Sequence, residues 1–459
     1  MTTTHQPARR AFLQRLGQLG LAGTATPWAL NLAAMGEAAA FTANDYKALV
    51  CVFLYGGNDN GNTLIPYDAA GHAQYATVRT NMALARDSLA ATALSPATAL
   101  AGGVQYALAP SLAPLKALFD SGRLAVQLNV GTLVQPTTVA QFKAQSVPLP
   151  PKLFSHNDQQ SYWQSSRAEG AVRGWGGALG DVALASNGGS VFTCMSVTGN
   201  AVFLSGQNAL AYQMGSSGAM AIRAATAPLY GSAACQNALR TLITQARAQT
   251  LENEFTRIVS RSISSQGTLA SALGSSPNLD GFFTDNGTLS QQLKMVARLI
   301  AARGALGLKR QVFLVSLGGF DTHDGLLTRQ PPLLAQVAAA LTGFQAAIDS
   351  LGLAPNVTAF TASDFGRTLT SNSDGSDHGW GSTHFVLGGA VKGAAFYGTP
   401  PQIVINGPDD VGQGRLLPST AVDQYAATLA RWFGVSDSEL PLVMPNIVNY
   451  DSRNLGFMG

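Results

Sequence analysis

Asp321 and His323 stand two residues apart in Gly318-Gly-Phe-Asp-Thr-His-Asp-Gly325, and Asp364, Asp377, His378 and His384 fall within residues 361–393. Carboxylate oxygens and imidazole nitrogens are the atoms that zinc and similar divalent ions take as ligands. The chain has only six histidines. A divalent ion, with zinc as the natural candidate, is therefore the cofactor these loops are expected to hold. Helix caps and solvated loop histidines are the alternative reading of the same residues.

Three further places carry chemistry. Asp59, with Asn58 beside it, ends the turn Gly56-Gly-Asn-Asp-Asn-Gly61, where ordinary turn chemistry competes with a ligand role. Ser155 precedes His156 and lies three residues before Asp158, the pattern of a helix start with a capping carboxylate. A serine there, at the positive end of a helix dipole, can serve as a nucleophile beside a metal ion. Arg367, three residues past Asp364, can hold an anion. The expected set is thus Asp59, Asp321, His323, Asp364, His378 and His384 as ligands. Ser155 and Arg367 are expected to be catalytic, with Asn58, His156 and Asp377 nearby.

Such a set works only if the elements deliver it to one place. Residues 47–55, 311–317 and 357–361 are continuous apolar runs, which read as strands buried on both faces. Each runs directly into one of the acidic loops, and open α/β sheets place ligands just beyond the carboxyl ends of parallel strands. Residues 331–351 and 421–433 have helical apolar spacing, and 191–197, 201–204, 384–388 and 402–405 read as short strands, 384–388 at a sheet edge. The expected architecture is α/β: a mostly parallel central sheet with helices on both faces. Residues 41–459 form one domain, with a helical insertion around 206–290 that carries no chemical motif.

The first forty residues read differently. Arg9-Arg10-Ala11-Phe12-Leu13 precedes a broken apolar run and Ala38-Ala39-Ala40, the layout of a twin-arginine export signal. The expected address is the periplasm or outside. Charged residues make up 12% and the formal net charge is +3, too little to argue for nucleic acid. No stretch after the leader reads as a membrane span. Cys194 and Cys235 are candidates for a bridge in an oxidising compartment. Oligomeric state is not legible.

The GGFDTH loop, the YGGND loop, the SHNDQQSYW helix start, the SDFGRT and DHGWGSTHFVLGGAVKG segments and the leader together resemble the domain-of-unknown-function family 1501. The likeness covers essentially all of the chain beyond the leader. It implies a fold like that of the alkaline phosphatase and sulfatase superfamily. By position it implies Asp59 as the first metal-binding acid, Asp321 and His323 as a middle pair, and Asp364 as the next acid. His378 or His384 matches the last histidine, and Ser155 lies near the nucleophile. Phe365 departs from that pattern, standing where a histidine is usual. The implied activity is metal-dependent hydrolysis of a phosphate or sulfate ester, small or polymeric. The alternative is a non-catalytic binding or assembly protein that keeps the fold.

Overall fold

The computed structural model describes residues 43–459. The leader and its paired arginines lie outside the described residues.

A single mixed sheet carries the site. Its strands are β1 (Lys47–Leu54), β4 (Leu124–Gly131), β5 (Cys194–Ser196), β6 (Ala211–Gln213), β7 (Arg310–Leu317), β8 (Val357–Ser363), β9 (Ser382–Gly388), β10 (Ala395–Tyr397) and β11 (Thr420–Ala421). The order across the sheet is β10-β4-β9-β8-β1-β7-β5-β6, with β11 also on β4. A small hairpin of β2 (Leu64–Pro66) and β3 (Tyr106–Leu108) stands apart. β1, β4 and β8 are buried along nearly their whole lengths, β1 through an apolar run and β4 and β8 with Gln127, Asn129, Thr358 and Thr361 buried among apolar neighbours.

The main helices are α1 (Ala69–Arg79), α2 (Ala113–Asp120), α3 (His156–Ser165), α4 (Trp175–Ala183), α5 (Ala233–Thr244), α6 (Thr250–Gly274), α7 (Thr288–Ala301), α8 (Leu326–Ser350) and α9 (Val422–Phe433). One face of the sheet, through Val50, Val52, Phe313 and Val315, shares a core with Leu115 of α2, Val296 of α7 and Leu341 of α8. On the other face Phe360 of β8 stacks with Trp175 of α4 and Tyr425 of α9 at 5.4 and 5.9 Å. Helices thus cover both faces.

Register puts the site at one edge. Leu54, Leu317 and Ser363 end three parallel neighbours side by side, since Leu54 pairs with both Leu317 and Ser363. The loops that follow therefore leave the sheet together, as parallel strands dictate.

Among the described residues, six of the eight strand pairings in this sheet are parallel, and the expected edge position of residues 384–388 needs correction. β9 runs antiparallel to both β4 and β8, so the sheet is mixed, and β9 is an interior strand rather than an edge. A parallel return would have to cross the sheet first. Running antiparallel, β9 starts at the edge where β8 ends, and residues 364–381 stay at the site.

Other expectations shift locally. Residues 202–204 form a 3-10 turn and 402–405 form no strand, while the strand within 191–197 shrinks to β5. α8 begins at Leu326, ahead of Pro331 and Pro332. Among the described residues, α8 alone has the length and composition of a membrane span, which the sequence reading did not assign. Its Leu334, Val337, Leu341, Phe344 and Ile348 are buried in the core. Cys194 and Cys235 do not pair: the first is buried, the second exposed, and both are free.

Candidate metal centre

Two loops and one helix start meet at that edge. Asp321 and His323 follow β7, Asp364 follows β8, His378 precedes β9, and His156 is the first residue of α3. Ligand atoms from His156, Asp321 and His378 all lie within 4.8 Å of one another. His323 joins them: its Nε2 is 3.1 Å from Asp321 Oδ1 and 2.9 Å from His378 Nε2.

Each of these imidazoles has its other nitrogen on an acceptor. His156 Nδ1 lies 2.6 Å from Asp364 Oδ2, His323 Nδ1 lies 3.1 Å from Asp377 Oδ1, and His378 Nδ1 lies 2.7 Å from the Phe154 carbonyl. An acceptor at Nδ1 places the proton there, so a neutral ring presents a lone pair at Nε2. Three lone pairs then converge on the Asp321 carboxylate, with His156 and His378 Nε2 both 3.4 Å from it. His156 Nε2 is buried and makes no hydrogen bond. Lone pairs facing each other at 2.9 Å repel unless a proton or a cation stands between them. Carboxylate and carbonyl partners behind the ring are also what orients metal-binding histidines. The donor set therefore fits one divalent ion of the zinc class, with nitrogen and carboxylate ligands.

The supporting contacts are as specific. Asp364 is fully buried and accepts from Gly56 N at 3.1 Å and from Gln160 Nε2 at 2.7 Å, besides meeting His156. Gly56 has φ +115°, and a Cβ there would lie 2.4 Å from Asp321 N. Only glycine allows this turn to press against the Asp321 loop. Phe365 stacks on His156 at 4.9 Å and on His378 at 4.6 Å, so the residue that departs from the superfamily pattern forms an apolar wall of the cluster.

Charge follows the contacts. The Asp364 hydrogen bond raises the His156 pKa against the opposing effect of burial. Burial lowers that of His378. Burial pushes Asp321 upward, but the hydrogen bond and charge of Arg367, with His156 and His323, outweigh it and hold the carboxyl below its ordinary value.

Several expected residues sit elsewhere. Asp59 is not a ligand: its Oδ2 takes Arg79 at 2.9 Å and Ser376 Oγ at 2.6 Å, and its Oδ1 takes Asn62 N at 3.0 Å. Both charges of that pair are buried. Asn58 bonds Thr63, Ser363 and Gln330 and is structural. His384 lies inside β9 against Trp163 and Tyr425 rather than in the cluster. With full burial its pKa falls to about 3, so it is neutral. Ser155 Oγ donates to Asp158 Oδ2 at 2.9 Å, which turns it from the cluster toward its own helix. Arg367 is not free to grip an anion: it donates to Asp321 and the Gly56 carbonyl, both at 2.9 Å, and to Ser376. It positions Asp321. Asp377 stands behind His323, as a neighbour of the site should.

Sequence reading missed Gln160, Arg79 and the Phe154 carbonyl. Gln160 was legible in part, since it lies one helical turn from His156 and so shares its face. Arg79 and Phe154 gave no signal.

No curated protein matches this chain. Two crystal structures of Ps i-CgsB resemble it weakly. The one in complex with k-i-k-neocarrahexaose has TM-score 0.33 and 9% identity, over 89% of this chain and 78% of that one. The second, described as Ps i-CgsB alone, has TM-score 0.32 and 11% identity, over 88% and 77%. The family model described as protein of unknown function (DUF1501) matches residues 46–442, and the chain belongs to that family.

Proposed function

We propose that the protein is an exported, metal-dependent hydrolase of phosphate or sulfate esters, with one divalent ion held by His156, Asp321, His323 and His378. The observation that carries this is the common orientation of three imidazoles, Nδ1 on an acceptor and Nε2 on Asp321. A divalent ion, when bound, polarises an ester oxygen and makes a bound water more acidic.

The chain's own residues do the rest. Asp364, Asp377 and the Phe154 carbonyl orient the ligands. Arg367 holds the Asp321 carboxylate in position at 2.9 Å. Ser155 leaves the first amides of α3 without a side-chain cap, so the positive end of that helix dipole faces the cluster and favours an anionic group. With Ser155 turned toward Asp158, water is the nucleophile this arrangement suits. The alkaline phosphatase and sulfatase likeness of the fold belongs to the same proposal. So does export through the twin-arginine route to the periplasm or beyond, which rests on Arg9 and Arg10.

A second reading is a non-catalytic binding or assembly protein with a structural ion. What favours it is that neither Ser155 nor Arg367 is free for catalysis. Metal analysis of the native protein, followed by hydrolysis of aryl phosphate and aryl sulfate esters, decides between them. One ion per chain, with hydrolysis lost to a chelator and restored by zinc, supports the hydrolase. An ion without hydrolysis of any ester supports the second reading, and a metal-free native protein removes both.

A further inference from the structure

α5 and α6 belong to the helical insertion, and α6 carries one apolar row that is buried only toward its C-terminal end, at Leu269, Ala272 and Leu273. Toward the N-terminal end the same row continues as Leu251, Phe255 and Ile258, which are 87%, 60% and 53% exposed. Their spacing of four and then three residues places them in one row along the helix, the spacing of a two-helix seam. Ser262 continues the row with a small side chain. Leu242 of α5 is also 56% exposed, and α5 buries none of its residues. Single exposed apolar residues need no explanation, but a row of three large ones on a charged helix does.

We propose that α6 is a dimer interface, paired antiparallel with α6 of a second copy across a two-fold axis midway between Phe255 and Ile258. Charge selects this partner and direction. Antiparallel pairing about that axis sets Phe255 on the partner's Ile258, twice, and Leu251 over the partner's Ser262. Positions flanking the seam then meet like with like along the row. Glu254 comes beside the partner's Arg261, and Arg261 beside the partner's Glu254. In a parallel pair Glu254 would face the partner's Val259, and the ion pairs would be lost. An isologous contact of this kind closes on itself. Glu254 already pairs with Arg257 of its own chain at 3.3 Å, both partners exposed, so exchanging it costs little. The stripe is smaller than the ~800 Å² per partner of a standard interface. The dimer is accordingly weak and dependent on concentration.

Sedimentation of the full chain from micromolar to several hundred micromolar reads it directly. The wild type should move from monomer to dimer. Ile258→Glu should remain monomeric with an unchanged melting temperature, because that side chain is not part of the core. Glu254→Arg alone and Arg261→Glu alone should each weaken the dimer by about tenfold, and the two together should restore it. A wild type that stays monomeric throughout, or a dimer indifferent to Ile258→Glu, overturns the proposal. A charge swap that fails to rescue overturns the antiparallel register. A monomer that instead binds vesicles of anionic lipid through Phe255 and Ile258 assigns the stripe to a membrane surface and overturns the dimer.

Discussion

Asp364 Oδ2 lies 2.6 Å from His156 Nδ1, across 208 residues of sequence. That contact sets the tautomer of His156 and so decides which of its nitrogens faces Asp321. Because Asp364 is itself held by Gly56 and Gln160, the orientation of this imidazole depends on β1, β8 and α3 together.

Replacing Asp364 with Asn should weaken metal binding by about 10–100-fold, as loss of a partner behind a metal-binding histidine does. The amide can offer an N–H where His156 needs an acceptor. Competition with a fluorescent chelator measures the change, and an unaltered affinity would remove Asp364 from this role.

Asp59 should behave as a structural residue. Asp59→Asn leaves Arg79 charged and buried without its partner, a loss of about 3–5 kcal/mol. Urea unfolding should show that loss, while the folded fraction keeps its full metal content. A variant of wild-type stability that has lost its metal would reverse the assignment.

Two buried groups should give opposing pH slopes. His384 has its folded pKa depressed to about 3, so below the unfolded value the unfolded chain binds the extra proton. Its contribution to stability is complete above about pH 6.5 and is lost as pH falls toward 3, at ~1.4 kcal/mol per unit. Burial raises Asp423 to about 7 against its hydrogen bonds from Ser166 and Asn446. There the folded chain holds the extra proton, so stability falls as pH rises from about 4 to 7. The two effects offset each other between about pH 4 and 6.5. Urea midpoints across that range should fall with pH in His384→Gln and rise with pH in Asp423→Asn. Identical slopes in both variants and the wild type would refute the pairing.

Gly56→Ala should be severe for so small a change. A Cβ at φ +115° would stand 2.4 Å from Asp321 N, so the turn must move away from the β7 loop. That shift also pulls the Gly56 amide from Asp364. The expected cost is roughly 1–3 kcal/mol, with weaker metal binding. A crystal structure of the variant with an unmoved Asp321 loop would contradict this.

What the sequence determined by itself is local. Largely apolar and β-branched runs at residues 47–54, 311–317 and 357–361 specify strands buried on both faces, and the glycines and acids after them specify loops. Those runs were enough to bring Asp321, His323 and Asp364 to one edge, because parallel neighbours end together. His378 joins them only because β9 runs antiparallel and starts at that same edge, at Ser382. Direction and partnership belong to the tertiary structure. An alternating or apolar strand reads the same whichever way it runs, so β9 could be placed only by its neighbours, and with it His384 passed from an expected edge strand to the core. Asp59 and Asp364 both follow a strand with a glycine close by, and nothing local separates them. Arg79 happens to reach one and His156 the other, and the charge that lies within about 3 Å decides whether a buried carboxylate is a counterion or a support for a ligand.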